Sequence, residues 1–101
     1  PALTTRAAAG FTRALGAAHV IEGKPLIGTD ETVEFSKAYT PAVPMMFFYV
    51  GSSAPKALEA ARTGGAALPS LHAPEYAPDA DASLRTGALA LIGAARELLP
   101  P

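Results

Sequence analysis

The sequence predicts an α/β fold, because helical and strand-like segments alternate along the chain. Three observations support this prediction: apolar residues recur with a helical period near both ends, a run of six apolar residues is typical of a buried strand, and glycine or proline marks most of the boundaries. The predicted order is helix, strand, helix, strand, short helix, loop and helix, which is the alternation of an α/β layered domain.

Composition excludes several classes of function. The 101 residues include 8 lysines and arginines and 9 aspartates and glutamates, and this near-neutral balance argues against a nucleic acid or a membrane as partner. The absence of cysteine excludes disulfides, thiolate metal sites and thiol nucleophiles. The sequence has no secretory signal pattern and no apolar run of membrane-spanning length, so we expect a cytoplasmic protein.

The first predicted helix spans Leu3 to Leu15, where apolar residues recur at helical spacing. Thr4 or Thr5 is available as its N-cap, and Gly16 ends it. Its predicted buried stripe consists of Leu3, Ala7, Phe11, Ala14 and Leu15. The β-branched residues between His19 and Glu22 then predict a short edge strand, which ends at a turn.

A second helix is predicted to follow Thr29 and to end near Tyr39, because Pro41 comes soon after. Thr29 is a suitable N-cap for this helix. Asp30 and Glu31 place negative charge in the first turn, where the helix dipole favours it.

A buried strand is predicted from Met45 to Val50, since six consecutive apolar or aromatic residues precede Gly51. A short helix is then predicted from Pro55 to Arg62, with proline at its start and Gly64-Gly65 at its end. Two strands alone form a marginal sheet, so we expect further strands to come from outside this sequence.

Three prolines between Leu68 and Pro78 predict an irregular loop, and such loops in compact domains often carry function. A final helix is predicted from about Ala82 to Leu99, with Asp79 or Asp81 as its N-cap. Its predicted buried stripe consists of Leu84, Ala88, Leu91, Ile92, Ala95 and Leu99.

His72 is the main candidate for chemistry, because it lies in this loop, beyond the predicted buried strand, where open α/β sheets place their ligands. A neutral imidazole there is suited to binding a metal, although its spacing also fits a solvated or hydrogen-bonded histidine. His19, the other histidine, is interpreted as structural. The pair Asp30 and Glu31 fits a ligand or general base, but helix capping also explains it.

Two other chemistries find little support in the sequence. The serines lack the Gly-x-Ser-x-Gly pattern of a nucleophile elbow. The glycine pair at positions 64 and 65 lacks the lysine and the serine or threonine of a phosphate-binding loop.

Three blocks of the sequence, in this order, carry a resemblance to a known family. They are residues 28–31 (Gly-Thr-Asp-Glu), 43–51 (Val-Pro-Met-Met-Phe-Phe-Tyr-Val-Gly) and 71–76 (Leu-His-Ala-Pro-Glu-Tyr), followed by the leucine-rich last helix. The sequence resembles the C-terminal end of M20-type metallopeptidases, in particular the amidohydrolase branch that includes N-acyl-amino-acid and hippurate hydrolases. The resemblance covers the chain from about Gly16 to Leu99.

The resemblance implies a fold and a function for residues 1–101. The fold is the C-terminal portion of a mixed-sheet, helix-flanked catalytic domain like that of zinc peptidases, incomplete on its own. The function is metal-dependent hydrolysis of the amide bond of N-acyl amino acids or related small amides or peptides. Enzymes of this family use two divalent metal ions to polarise the scissile carbonyl and a glutamate as general base. Zinc is the expected metal, and a histidine ligand also suits manganese, nickel or cobalt.

The resemblance also implies roles for individual residues. His72 corresponds to the last metal-binding histidine of the family. Gly28, Thr29 and Asp30 correspond to a loop beside the substrate, although the order of the acidic residues is reversed here and Thr32 replaces the usual aromatic residue. No residue of the chain corresponds to the family's catalytic glutamate.

The family's other metal ligands and its lid or dimerisation domain also have no counterpart in the sequence. We therefore expect the chain to act with the remainder of the catalytic domain, on another chain or segment, and to form a homodimer through that lid domain. The start at Pro1 leads us to expect a processed or excised segment. The alternative is a small non-catalytic α/β module that binds a protein partner through an exposed apolar edge.

Overall fold

The computed structural model describes residues 2–24, 34, 37–38 and 43–99. Contacts within the chain define two compact units, of which unit 1 contains residues 1–48 and 89–101 and unit 2 contains residues 49–88. The regular elements of the described residues are helix α1 (Ala2–Leu15), a 3₁₀ helix (Ala17–His19), helix α2 (Pro55–Arg62) and helix α3 (Ala80–Leu98).

The predicted α/β fold is wrong. The structure is all-helical and does not fit the C-terminal portion of a mixed-sheet, helix-flanked, zinc-peptidase-like domain. No residue in the described ranges lies in a strand. The two segments that were predicted to be strands adopt other conformations, for different physical reasons.

The segment from His19 to Glu22 is not a strand. Gly16 follows the end of α1 and has a φ of 88°. Two tight turns come after it. The His19 N–H donates to Gly16 O at 3.1 Å, and the Val20 N–H donates to Ala17 O at 3.3 Å. These local hydrogen bonds prevail because β-branched residues stabilise a strand only when a second strand packs beside them.

The segment from Met45 to Val50 is also not a strand, because a strand needs a neighbouring backbone for its hydrogen bonds. Within the part of the chain that the structure describes, residues 45–51 form no backbone hydrogen bond with another segment. Exposure alternates along the segment. Met46, Phe48 and Val50 are half-buried, whereas Met45, Phe47 and Tyr49 are exposed.

In unit 1, α1 and the last part of α3 contact each other through backbone atoms at Gly10 and Gly93. A Cβ atom built on Gly10 would lie 2.5 Å from Gly93 O, and one built on Gly93 would lie 2.6 Å from Gly10 O. Both distances are too short for a real side chain. The glycines therefore permit a helix approach that any other residue would prevent.

The buried core of unit 1 surrounds this contact and consists of small and aromatic side chains. Ala7, Phe11 and Ala90 are the buried apolar residues among those described. Phe48 packs on Phe11 with a distance of 4.8 Å between ring centroids and a tilt of 47° between the rings. Through this tilted ring contact, the segment that ends at Phe48, just before unit 2, packs on the core of unit 1.

The prediction for α1 is confirmed at its end and for part of its buried stripe, and it is wrong at its start. The helix begins at Ala2, so Thr4 and Thr5 lie inside it and neither is the N-cap. Of the predicted stripe, Ala7 and Phe11 are buried, while Leu3 and Leu15 are half-buried and Ala14 is exposed.

The predicted buried stripe of α3 is wrong. Leu84 is 74% exposed, Leu91 59%, Ile92 49% and Leu99 66%, and the alanines predicted to accompany them are also exposed. The buried residues of α3 are instead Ala90 and Gly93. Small residues determine which face of α3 is covered, because they allow its backbone to reach Gly10.

Predictions that rest on local signals are confirmed. Helix α2 begins at Pro55 and ends at Arg62. Its end is closed by Gly64, whose φ is 90°, and by the Gly65 N–H, which donates to Ala60 O at 2.8 Å. Asp79 is the N-cap of α3, since its Oδ1 accepts a hydrogen bond from the Ala82 N–H at 3.3 Å.

Two arginines of α1 bind the end of α3. The Arg6 Nη2 donates to Glu97 O at 2.7 Å and to Leu98 O at 3.4 Å, and Arg13 forms an ion pair with the Glu97 carboxylate. The last carbonyls of a helix carry partial negative charge and lack partners within the helix, so the Arg6 guanidinium stabilises this end.

The predicted helix from Thr29 to Tyr39 falls largely outside the described residues. Within it, the Ala38 N–H donates to Glu34 O at 3.0 Å, and Lys37 forms an ion pair with Glu34 at 2.6 Å. Among the helices that the structure describes, none combines the length and the apolarity needed to cross a membrane.

Substitution of Gly93 by alanine is expected to lower the free energy of unfolding by about 1 to 3 kcal/mol, because the new methyl group overpacks the contact with Gly10. Gly87→Ala is the matched control in the same helix, since the nearest atom to its added Cβ is Val50 Cγ2 at 3.9 Å. The control is expected to stabilise by up to about 1 kcal/mol through helix propensity. Urea unfolding followed by circular dichroism measures both changes, and equal effects would contradict the close contact.

Candidate functional site

The loop that carries His72 consists of two consecutive turns in unit 2. The Ala73 N–H donates to Ser70 O at 3.1 Å, and the Tyr76 N–H donates to Ala73 O at 3.0 Å. Pro74 occupies the second position of the second turn, where its fixed φ favours the turn. The predicted irregular loop therefore has a defined local structure.

His72 occupies the third position of the first turn with a φ of 70°, in the left-handed region. It is the only described residue other than glycine with a positive φ. That conformation costs roughly 1 to 2 kcal/mol for a residue with a Cβ atom, so glycine or asparagine is the usual occupant. A histidine here lowers stability without a hydrogen bond from its side chain to any described residue, and such positions are typical of functional sites.

The His72 side chain is exposed and makes no hydrogen bond with any residue that the structure describes. Its imidazole is therefore free to accept a ligand. The backbone of the turn, and not contacts of the side chain, determines where the imidazole lies.

The end of the loop is attached to Ser52, two residues after the apolar run. The Asp79 N–H donates to Ser52 O at 2.8 Å, and the Ser52 hydroxyl forms a short, half-buried hydrogen bond with the Tyr76 hydroxyl. Ser52 had no predicted role. A signal existed in the order of the residues, since Ser52 follows the predicted strand and Tyr76 ends the His-x-Pro-x-aromatic block.

The described residues match one ligand of a metal centre and not a complete site. Within the ranges that the structure describes, no group of three or more histidine, aspartate or glutamate side chains is placed to hold a metal ion. His72 offers one nitrogen ligand, and zinc sites need three or four protein ligands. A metal bound by His72 therefore requires ligands from outside the described residues.

Of the predicted site residues, only His72 lies within the described residues. Gly28, Thr29 and Asp30, the predicted substrate loop, lie outside the described residues. His19, interpreted as structural, is exposed at the end of the 3₁₀ helix and belongs to unit 1, whereas His72 belongs to unit 2.

Comparison with known proteins identified no relative. No protein-family model, no curated protein and no solved structure matches this chain.

Substitution of His72 by glycine is expected to raise the free energy of unfolding by about 1 kcal/mol, because glycine adopts a positive φ without the Cβ clash. His72→Ala retains the Cβ and should give no such gain. His19→Gly is the control at a position without a positive φ, where a loss of about 0.5 to 1 kcal/mol is expected. Urea titration of the three variants measures the differences, and equal stability of His72→Gly and His72→Ala would contradict the strained turn.

Proposed function

We propose that this chain supplies one metal-binding histidine, His72, to an amidohydrolase of the M20 type and that it acts together with the remainder of the catalytic domain. The observation that carries the proposal is the turn at His72, which presents a free imidazole from a left-handed backbone position. The three sequence blocks that resemble the family indicate the reaction class, which is hydrolysis of an amide bond. The proposal concerns function only, and the predicted sheet remains wrong.

The contribution of the chain to the metal centre is one ligand. His72 would hold one of two divalent ions, with zinc the expected metal, while the other ligands belong to the remainder of the domain. When bound, such ions act as Lewis acids on the amide carbonyl of the substrate. The residues of this chain orient the imidazole and leave it accessible.

An exposed apolar surface at the C-terminal end of α3 supports the need for a partner. We call it the leucine face, and it consists of Leu91, Ile92, Ala95 and Leu99. Leu91, Ala95 and Leu99 recur at a spacing of four, and Ile92 lies three residues before Ala95, so the side chains are neighbours on one side of this segment. Burying side chains of this size contributes on the order of 1 to 3 kcal/mol each. The remainder of the catalytic domain is the proposed occupant of the leucine face.

The proposed substrate is an N-acyl amino acid or a related small amide or peptide. Gly28, Thr29 and Asp30 remain the proposed residues beside it, on the strength of the family resemblance. A homodimer formed through a lid domain and a cytoplasmic location likewise remain predictions.

Substitution of His72 by alanine in the complex that contains this chain is expected to remove bound metal and to lower hydrolysis of N-acetyl amino acids and hippurate by at least about 100-fold. Changes to residues that merely support a metal ligand already cost 10- to 100-fold. The complex is purified through an affinity tag on this chain, and metal content is measured by mass spectrometry.

His19→Ala is the matched control, since it removes the other histidine of the chain, which is also exposed. It should change neither metal content nor hydrolysis. A metal-free wild-type complex, or a His72→Ala complex with full metal content and activity, would overturn the proposal.

A second candidate function, binding of a protein partner without catalysis, is favoured by the number of exposed apolar side chains. Among the described residues, twelve large apolar side chains are at least 41% exposed, whereas only Ala7, Phe11 and Ala90 are buried apolar residues. Apolar surface on this scale commonly marks a protein interface. In this case His72 is a structural loop residue.

The double substitution Ile92→Gln and Leu99→Gln is expected to abolish recovery of the partner with the tagged chain, because it makes the leucine face polar. Both side chains are exposed, so helix content measured by circular dichroism should not change. Ile21→Gln is the control at an exposed apolar position outside α3. Full recovery of the partner with the double variant would show that the leucine face is not the interface.

A further inference from the structure

We propose that the apolar run, residues 45–50, pairs edge to edge with the same residues of a second copy of this chain, as a two-stranded antiparallel ribbon. The inference involves neither His72 nor a metal, so it goes beyond the proposed function and does not rest on it. The ribbon forms only between copies. Each chain keeps its helical fold, and the α/β domain remains wrong.

The backbone of the apolar run has the form of a strand but lacks a paired neighbour. Exposure alternates at every residue from Met45 to Ala54, which is the period of extended backbone, and none of these residues is buried. Within the described part of the chain, residues 45–51 form no backbone hydrogen bond with another segment. An extended backbone with open N–H and C=O groups is an edge to which a second strand adds, so these groups specify a strand as the occupant.

The composition of the apolar run favours a second copy as that strand. The sequence has no charged side chain from Ala38 to Pro55, and residues 45–50 include no proline. Lysine, other charges and proline are the usual protection of an exposed edge against pairing with another chain. Uncharged apolar segments without proline are the kind that pair with identical segments. Pairing of the run with itself brings no like charges together.

A twofold axis at Phe47 gives a register in which exposed side chains meet exposed side chains. Phe47 lies opposite Phe47 of the second copy, and Met45 lies opposite Tyr49 of the second copy. These three side chains are 56%, 42% and 68% exposed, respectively. Residues directly opposite in an antiparallel pair have Cβ atoms about 4.5 to 5.5 Å apart, so the register forms aromatic and sulfur–aromatic contacts. Met46 and Phe48 keep their packing on the core of their own chain.

The size of this interface predicts a weak, reversible dimer. Six residues of strand extend over about 20 Å. Interfaces that bury less than about 1,200 Å² are typical of transient association. We therefore expect the dimer fraction to rise with the concentration of the chain.

The experiment is sedimentation velocity of the full chain over a wide range of concentrations. Phe47→Lys places two ammonium groups opposite each other, and Phe47→Glu places two carboxylates there. Each variant is expected to weaken self-association by about ten-fold or more, because the aromatic pair is lost and like charges replace it. An equal mixture of the two variants should associate again, since lysine then faces glutamate. Phe47 is exposed, so helix content measured by circular dichroism should not change.

Leu91→Lys is the matched control, because it places the same charge at an exposed position of the leucine face and outside the apolar run. It should leave self-association unchanged. Hydrogen–deuterium exchange locates the contact, and amides within residues 45–50 should exchange more slowly as the dimer forms.

Four results would overturn the ribbon: a chain that stays monomeric at every concentration, one that forms open-ended aggregates instead of a dimer, a mixture of the charged variants that fails to associate, or self-association that is lost in Leu91→Lys and kept in Phe47→Lys. The last result would place the second copy on the leucine face. None of these results bears on the metal content of the His72→Ala complex, so the ribbon and the proposed function fail separately.

Discussion

The backbone contact between Gly10 and Gly93 determines which faces of α1 and α3 are covered. Because neither position has a side chain, the helices approach until backbone atoms of one meet those of the other. The small residues of α3 near Gly93 then face the core, and its larger residues remain outside. The same approach brings Arg6 and Arg13 within reach of Glu97, so charge pairing and helix capping at this end follow from the glycine contact.

The elements that the sequence predicted correctly are those specified by neighbouring residues. Pro55 and the glycines after Arg62 bound α2 through the geometry of their own backbone, and Asp79 caps α3 through a bond to a residue three positions away. The errors concern contacts between distant residues. A run such as 45–50 has strand propensity, but it contains no information on whether another strand is available. The apolar pattern of α3 likewise predicted a buried stripe. It did not show that the close contact at Gly93 would bury a different face of the helix.

In the candidate site, too, local features were predicted and contacts between distant residues were not. Prolines and turn residues indicated that His72 lies in a loop, and the structure has it in a defined turn. Its positive φ was not predicted, since only a few per cent of residues other than glycine adopt that conformation. The hydrogen bond between Ser52 and Tyr76 spans 24 positions, and residue type alone does not reveal it. The ligands that would complete a metal centre were expected from outside the sequence, and this expectation stays a prediction.

The paired methionines at the start of the apolar run differ in access to solvent, and this difference makes them a chemical reporter. Met45 is 42% exposed, whereas Met46 is half-buried beside the core of unit 1. Peroxide converts an accessible thioether to the sulfoxide, which is polar and no longer suits an apolar contact. Met45 would therefore oxidise before Met46, and slow oxidation of Met45 would report that another surface covers the run.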